Sequence, residues 1–207
     1  MKPDEIYAES FRIIEAEVGE HGFAPPEWRV VRRMIHASGD LELARMVRFG
    51  HDAVASGIRA LREGRPIVTD VTMVAAGLNR EQLGRLNVPI ACFINDDEVR
   101  DQAHSRGETR SYWAMDKACR ELPEAIYVIG NAPTALFALC SAVQVGRCRP
   151  RLILAMPVGF VSVVESKAEA LTLDVPLIKI SGRKGGSAVA AAAMNALAEL
   201  ALEGGPA

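Results

Sequence analysis

Several short segments of this 207-residue chain hold residues that can bind or move charge. In Arg32-Arg33-Met34-Ile35-His36-Ala37-Ser38-Gly39 an imidazole falls in the last helical turn before a glycine stop. The unpaired carbonyls of a helix C-terminus carry partial negative charge and favour a protonated ring. His36 could therefore be a proton donor or cationic hydrogen-bond partner, or simply a capping residue. Arg33 lies one helical turn earlier on the same face, so both side chains could reach one ligand; the alternative is an ordinary exposed arginine. The Ser10 hydroxyl sits at the edge of an apolar stripe, where it could meet a ligand or bond back to a backbone carbonyl.

Two loops have the composition of anion cradles. Gly130-Asn131-Ala132-Pro133-Thr134 follows an apolar run and opens a helix, with Pro133 suited to the first helical position. The free amides of such a helix start can hold an anion, with a tight strand-to-helix turn as the alternative. Ser181-Gly182-Arg183-Lys184-Gly185-Gly186-Ser187 combines three glycines with two cations ahead of a helix, a composition suited to carboxylates or phosphates. It matches neither Gly-x-Gly-x-x-Gly nor the Walker pattern, so dinucleotide and P-loop readings are weak. Met156-Pro157-Val158-Gly159-Phe160-Val161 places apolar groups after another run, either as a wall for a large apolar ligand or as loop anchors.

Asp70 closes the first apolar run and could cap the short helix that follows. Thr109-Arg110-Ser111 precedes a helix bearing Tyr112, Trp113 and Met115. Asp96-Asp97-Glu98 suggests a solvated turn, because three adjacent acids cannot all face one ion. No His-Glu-x-x-His pattern occurs, and the four cysteines (Cys92, Cys119, Cys140, Cys148) form no Cys-x-x-Cys pair. No metal site and no disulfide framework are expected.

The elements that must position these groups follow from periodicity. Tyr7, Phe11, Ile14 and Val18 predict an amphipathic helix from Asp4 to about Glu20. Val30, Val31, Met34 and Ile35 predict a second that starts after Pro25-Pro26, reaches about His36 and is closed by Gly39. Asp40 is a plausible cap for a third through Arg48, and Asp52 to Glu63 reads as a fourth, so residues 1–65 are expected to be helical. Thereafter come five runs rich in Val, Ile and Leu, at Pro66–Thr69, Val88–Ile94, Ala125–Ile129, Leu152–Ala155 and Val175–Ile180, alternating with helical stretches. That pattern predicts an α/β fold over 66–202: a mostly parallel, doubly wound sheet of about five strands, helices on both faces and right-handed crossovers. Ligands of such sheets collect at the strands' carboxyl ends, where the loops above lie. The Ala-rich stretch Ala188–Leu202 permits close packing, against either its own sheet or a second subunit. A single domain is expected, with Gly204-Gly205-Pro206-Ala207 as a frayed end.

Composition excludes some classes. Lys plus Arg total 24 against 26 Asp plus Glu, a net charge of −2, so there is no basic field for nucleic acid. The apolar stretches Ala125–Val145 and Ser187–Leu202 are interrupted, so no membrane span is expected. Met1-Lys2-Pro3-Asp4-Glu5 carries two acids with no apolar run behind it, which suggests no secretory signal and a cytoplasmic protein.

Taken in order, these segments resemble the precorrin-8X methylmutase family of cobalamin biosynthesis. The resemblance spans nearly the whole chain: Glu9-Ser10-Phe11, Arg33-Met34-Ile35-His36-Ala37-Ser38-Gly39, Asp70 with Met73, Thr109-Arg110-Ser111, Gly130-Asn131-Ala132-Pro133-Thr134-Ala135-Leu136-Phe137, Met156–Val161 with Glu165-Ser166-Lys167, and Gly182–Ser187. It implies an isomerase that moves a methyl group from carbon 11 to carbon 12 of a corrin precursor, giving hydrogenobyrinic acid, or cobyrinic acid from the cobalt complex. It further implies a homodimer without cofactor, with His36 as the family's histidine and Ser10 and Arg33 as substrate contacts. Ser38 stands where relatives often carry threonine or cysteine.

The chemistry agrees with that implication. A sigmatropic methyl shift needs no nucleophile or redox group, so catalysis should come from positioning and from protonating or polarising the macrocycle, for which His36 is the natural candidate. The substrate is flat, apolar at its centre and fringed by carboxylates. Arg33, Arg110, Arg183, Lys184 and the amides of Gly185 and Gly186 could receive the carboxylates, Val158 and Phe160 could form the wall, and Asp70, Thr109, Ser111, Asn131, Thr134 and Ser187 complete the expected contact set. The competing readings are a non-catalytic tetrapyrrole carrier and a nucleotide-binding α/β enzyme; the latter lacks an acidic or Mg²⁺-binding partner.

Overall fold

The computed structural model describes residues 2–203, so the expected frayed end at 204–207 lies outside the described residues. Among the described residues, eleven helices and six strands follow one another as α1 (Pro3–Val18), α2 (Pro25–Ser38), α3 (Leu43–Met46), β1 (Val47–Gly50), α4 (Ala53–Arg62), β2 (Ile67–Thr69), α5 (Thr72–Gly77), α6 (Arg80–Arg85), β3 (Ile90–Ala91), α7 (Asp97–Arg106), α8 (Arg110–Glu121), β4 (Ile126–Ile129), α9 (Pro133–Gln144), β5 (Leu152–Ala155), α10 (Val163–Ala170), β6 (Leu177–Ile180) and α11 (Ser187–Glu203).

One sheet runs in the order β1-β6-β5-β4-β2-β3. Four of its pairings are parallel, and β1 alone is antiparallel, against β6. The strands expected from their apolar runs are therefore present, with one addition. The segment 40–48, expected as a helix, leaves helical geometry at Met46, and Val47-Arg48-Phe49-Gly50 becomes an edge strand in register with Leu177–Ile180. Val47 is buried, Arg48 exposed and Phe49 half-buried, which is the alternation of a strand with one covered face. Residues 1–65 are thus not wholly helical, and the sheet has six strands rather than five. Asp40, expected as the cap of that helix, instead accepts from the Glu42 amide at 3.0 Å and closes a turn ahead of α3. The run Val88–Ile94 pairs only at Ile90–Ala91, because Pro89 has no N–H to give and β3 sits at the sheet's edge.

Alternate residues of the central strands feed two separate cores, which requires helices on both faces. Ile126, Val128, Leu152, Leu154, Ile178 and Ile180 pack with Val31, Met34, Leu61 and the α11 residues Ala190, Ala193 and Leu197. Tyr127, Ile129, Ile153, Ala155 and Leu177 pack on the opposite side with Met115, Ala118, Leu136 and Leu139. The alanine stripe of α11 seats this helix on its own subunit: a Cβ on Gly57 would lie 2.8 Å from Leu152 and 3.2 Å from Leu197, and one on Gly77 would lie 2.8 Å from Ala191. Helix α2 runs alongside it, with Arg29 paired to Glu203 and Arg33 to Glu199. No helix among the described residues is long and apolar enough to cross a membrane.

Candidate active site at the carboxyl edge of the sheet

The chain leaves β2 toward β3 at one side and returns to β4 on the other, so the strand order switches between β2 and β4. Loops diverge at such a point and open a crevice at the carboxyl ends. Asp70 follows β2 there. It does not cap α5, whose first turn is preceded by Val71. Its carboxylate crosses the switch point and accepts from the amides of Gly130 (3.0 Å), Asn131 (2.8 Å) and Ala132 (2.7 Å). These are the amides expected to cradle a ligand anion, so that role falls to an internal carboxylate. Asp70 is only 1% exposed, and its carboxylate is the template of the β4–α9 turn. Burial pushes its carboxyl up, against the three donations that hold the ionised form.

That turn presents Asn131 outward and Thr134 half-exposed. Thr134 meets Thr109 at 2.8 Å between hydroxyl oxygens, which brings the start of α8, with exposed Arg110 and half-buried Ser111, to the same rim. Thr109 also caps α8, accepting from the Tyr112 amide at 3.3 Å. Gly130 is required for close approach, since a Cβ would lie 2.9 Å from the Ser187 Cα.

The loops after β5 and β6 interlock. Gly186 donates its amide to the Met156 carbonyl at 2.9 Å and Gly159 donates to the Arg183 carbonyl at 3.3 Å. Gly185 has φ +159°, and a Cβ there would fall 2.3 Å from the Met156 oxygen, so no other residue fits. Arg183 lies over the exposed Phe160 ring, 5.6 Å from its centroid, with exposed Val158 beside Gly186. An apolar wall and a cation therefore stand side by side. Lys184, expected as a second free cation, is tied instead to the carboxylates of Asp40 (2.6 Å) and Glu42. Those partners raise its pKa and occupy its charge. Its work is to lock the β6 loop to the segment that follows α2.

His36 occupies the other end of that segment. Gly39, in the left-handed conformation, ends α2 by donating to the Ile35 carbonyl at 2.8 Å. Ser38 donates to Met34 at 3.0 Å and accepts from the Asp40 amide at 3.2 Å, so its hydroxyl finishes the helix rather than facing a ligand. The imidazole packs against two aromatic rings of α1, with centroids 4.8 Å from Tyr7 and 5.4 Å from Phe11. Tyr7 is a neighbour of the site that no motif announces; its separation of one helical turn from Phe11 is the signal the sequence carries. Ser10 lines a cleft of about 270 Å³ with Ile14, Ile35, His36, Gly39 and Leu41, while its hydroxyl donates to the Ile6 carbonyl at 2.8 Å.

The surroundings of His36 oppose the charging that a helix end favours. Burial first, and the nearby Arg33 charge second, hold its pKa below the ordinary imidazole value. Both outweigh the helix terminus, whose field is worth only about 0.3–1 kcal/mol at exposed sites. The resting ring is neutral at pH 7. Arg33 itself faces Glu199 at 3.6 Å and lies 4.8 Å from the Tyr7 centroid, and its buried Nε has no hydrogen-bond partner. Arg33→Ala is expected to raise the His36 pKa, since it removes a repelling cation, and to weaken pigment affinity. NMR titration of the His36 ring and a binding isotherm check both; an unmoved pKa and an unchanged Kd would make Arg33 an ordinary surface residue.

The loops of β2, β4, β5 and β6 thus share one rim, and His36 joins it through Asp40 and Lys184. A larger cleft of about 650 Å³ lies between α1, α2 and β1 and shares Glu17 and Leu41 with the cleft at His36. Glu17, Glu20, Glu27 and Glu42 line it together with Arg45 and Arg48, so its walls carry both signs of charge. Asp96 and Glu98 pair with Lys117, at 2.9 and 3.1 Å, and Asp97 pairs with Arg100, so this acidic turn is an ion-pair network.

Fold and rim together define a doubly wound α/β protein that gathers cationic and apolar loops at a strand-order switch, beside a histidine packed against two aromatic rings. The sequence profile of precorrin-8X methylmutase matches residues 5–200. The chain belongs to the precorrin-8X methylmutase family. It is 42% identical over 204 residues to the cobalt-precorrin-8 methylmutase of Priestia megaterium, covering 99% of this chain and 91% of that protein. It is 42% identical over 196 residues to the precorrin-8X methylmutase of Pseudomonas aeruginosa, covering 93% of each. A crystal structure of precorrin-8X methylmutase from Thermus thermophilus superimposes with a TM-score of 0.89 at 43% identity, over 97% of this chain and 99% of that one.

Proposed function

We propose that this chain isomerises precorrin-8X, or its cobalt complex, by moving a methyl group between adjacent ring carbons at the rim described above. Family membership over residues 5–200 carries this reading, and it favours an enzyme over a non-catalytic carrier. In the rearrangement the carbon–methyl bond at carbon 11 breaks as that at carbon 12 forms, so atoms and electrons balance within the substrate.

The side chains present suit such a substrate. Arg183 and Arg110 offer exposed cations to peripheral carboxylates, and Val158 and Phe160 offer an apolar face to the macrocycle. The carboxylates that dock beside His36 add to the negative charge of Glu17, which lines the same cleft. They raise its pKa, so the ring takes up a proton on binding and can return it to the conjugated system. Asn131, Thr134, Ser111 and Thr109 complete the polar rim, and Ser10 shares the cleft with the imidazole. A homodimer is part of the proposal; the exposed Met73, Phe160 and Val161 are surfaces that a second subunit or the pigment would cover.

The test mixes purified protein with precorrin-8X and, separately, with its cobalt complex, and follows the visible spectrum. Conversion of either is expected, and selectivity assigns the substrate form. Binding of both without conversion would favour a carrier, and neither binding nor conversion would overturn the reading.

A further inference from the structure

Lys167 is a lysine that the mechanism above leaves unused. It projects from α10 and is 1% exposed, yet faces no carboxylate among the described residues. Its Nζ donates to the carbonyls of Gly182 (2.9 Å) and Lys184 (2.6 Å). The carbonyl between them, that of Arg183, accepts from the Gly159 amide at 3.3 Å. Three consecutive carbonyls of the β6 loop are thereby pulled inward, and the Arg183 side chain is left outside, over Phe160. Lys167 thus supplies two of the bonds that hold the loop in that curl, beside those of the Gly159 and Gly186 amides.

We infer that Lys167 is a positioning residue for substrate binding: its ammonium clamps the carbonyls flanking Arg183 and so aims the Arg183 guanidinium at the pigment's carboxylates. The inference rests on the proposed function for its ligand, while the clamp itself is independent of it.

The charge on Lys167 makes the clamp titratable. The ammonium's pKa is lowered to about 8, first by burial and second by Lys179 on β6. Arg48 stands opposite Lys179 on β1; Lys184, on the loop itself, is neutralised by Asp40 and Glu42; α10 itself carries Glu165 and Glu169; and α9, packed against α10, carries no charged side chain, its one titratable group being the buried Cys140 thiol. A neutral amine donates more weakly than an ammonium, so the clamp loosens as pH rises through about 8. Global stability responds with the opposite sign. Because the folded pKa lies below the ordinary 10.5, the unfolded chain binds more protons between the two values, and this group's contribution to stability rises across that window. A purely structural lysine would move stability alone.

The experiment measures KM and kcat from pH 7 to 9.5 for the wild type, Lys167→Met, Arg183→Ala and the double variant, each checked for folding by circular dichroism. Lys167→Met is expected to raise KM about tenfold, the effect of losing about 1.4 kcal/mol of binding, with kcat within twofold. It should also abolish the wild-type rise in KM above pH 8. The double variant should be no worse than Arg183→Ala, since the clamp acts through that side chain. A folded Lys167→Met protein with wild-type KM, or additive losses in the double variant, would overturn the inference. If Lys167→Met does not fold, Arg183→Ala decides: loss of the alkaline KM rise upholds the clamp, and its persistence overturns it. NMR of the ligand-free wild type separates this from the functional reading. The Gly159 and Gly186 amides should titrate together near pH 8 even if neither pigment is converted, and flat amide shifts would refute the clamp.

Discussion

His36→Ala is expected to yield a folded protein that binds the pigment and does not convert it. Binding is spread over the rim at Arg110, Arg183 and the apolar faces of Val158 and Phe160, whereas proton transfer depends on one ring. Removal of a positioned acid–base group costs on the order of 10²–10⁴-fold in rate. The fold should survive, because the ring is half-exposed and its two aromatic neighbours are worth only about 0.5–1.5 kcal/mol each. Single-turnover spectra and a pigment-binding isotherm on the same sample provide the check. Loss of binding in a folded variant would make His36 a docking residue instead. The wild-type pH profile adds a second readout. The ligand-free ring is neutral at pH 7 and charges only as pH falls through its lowered pKa, so kcat/KM, which reports the free enzyme, should change on the acid side of the ordinary imidazole value.

Asp70→Ala should be the most destabilising single substitution at the site. It strands three amides, the buried ones of Gly130 and Ala132 and the part-buried one of Asn131. Each unsatisfied donor costs about 1–3 kcal/mol, and the low end applies because water can enter the vacated space, so the loss is roughly 3 kcal/mol. For a chain of this size that corresponds to a Tm lower by about 6–12 °C. Asp70→Asn should fall between, since its amide can accept from two of the donors but turns an NH₂ toward the third. Turnover should drop in both, because Asn131 and Thr134 ride on this turn. Calorimetry with activity at a temperature where the variants are folded gives the answer; a Tm within 2 °C of wild type would mean that the turn holds its own shape.

Much of the fold is legible in the order of the residues. Tyr7, Phe11, Ile14 and Val18 place one face of α1 by period alone, and Leu152–Ala155 reads as a strand with the bounds it has. The strand at Val47–Gly50 is not legible, because four residues between two helices carry too little periodic signal and gain strand geometry only by pairing with β6. The rim is legible as a set of motifs and illegible as a set of contacts. Asp70 reads locally as a cap or a ligand group, and Lys184 as a free cation. Their partners lie 60 and 144 residues away, and no local pattern reports them.

By itself, the amino-acid sequence determined the α/β class, the carboxyl-edge loops, the motifs of the family and His36 as the residue to test. Local spacing and turn chemistry are written in neighbouring residues, so these can be read directly. The tertiary structure alone decided which charges are spent inside the protein and which remain for a ligand. It gives Asp70 to the β4 turn, Lys184 to Asp40 and Glu42, and Lys167 to the β6 loop, and it leaves Arg183 facing outward. It also lowers the pKa of His36, through burial and the proximity of Arg33, against the helix end that the sequence displays. Burial and long-range pairing exist only once the chain has folded, and they govern the charge state of every group at the site.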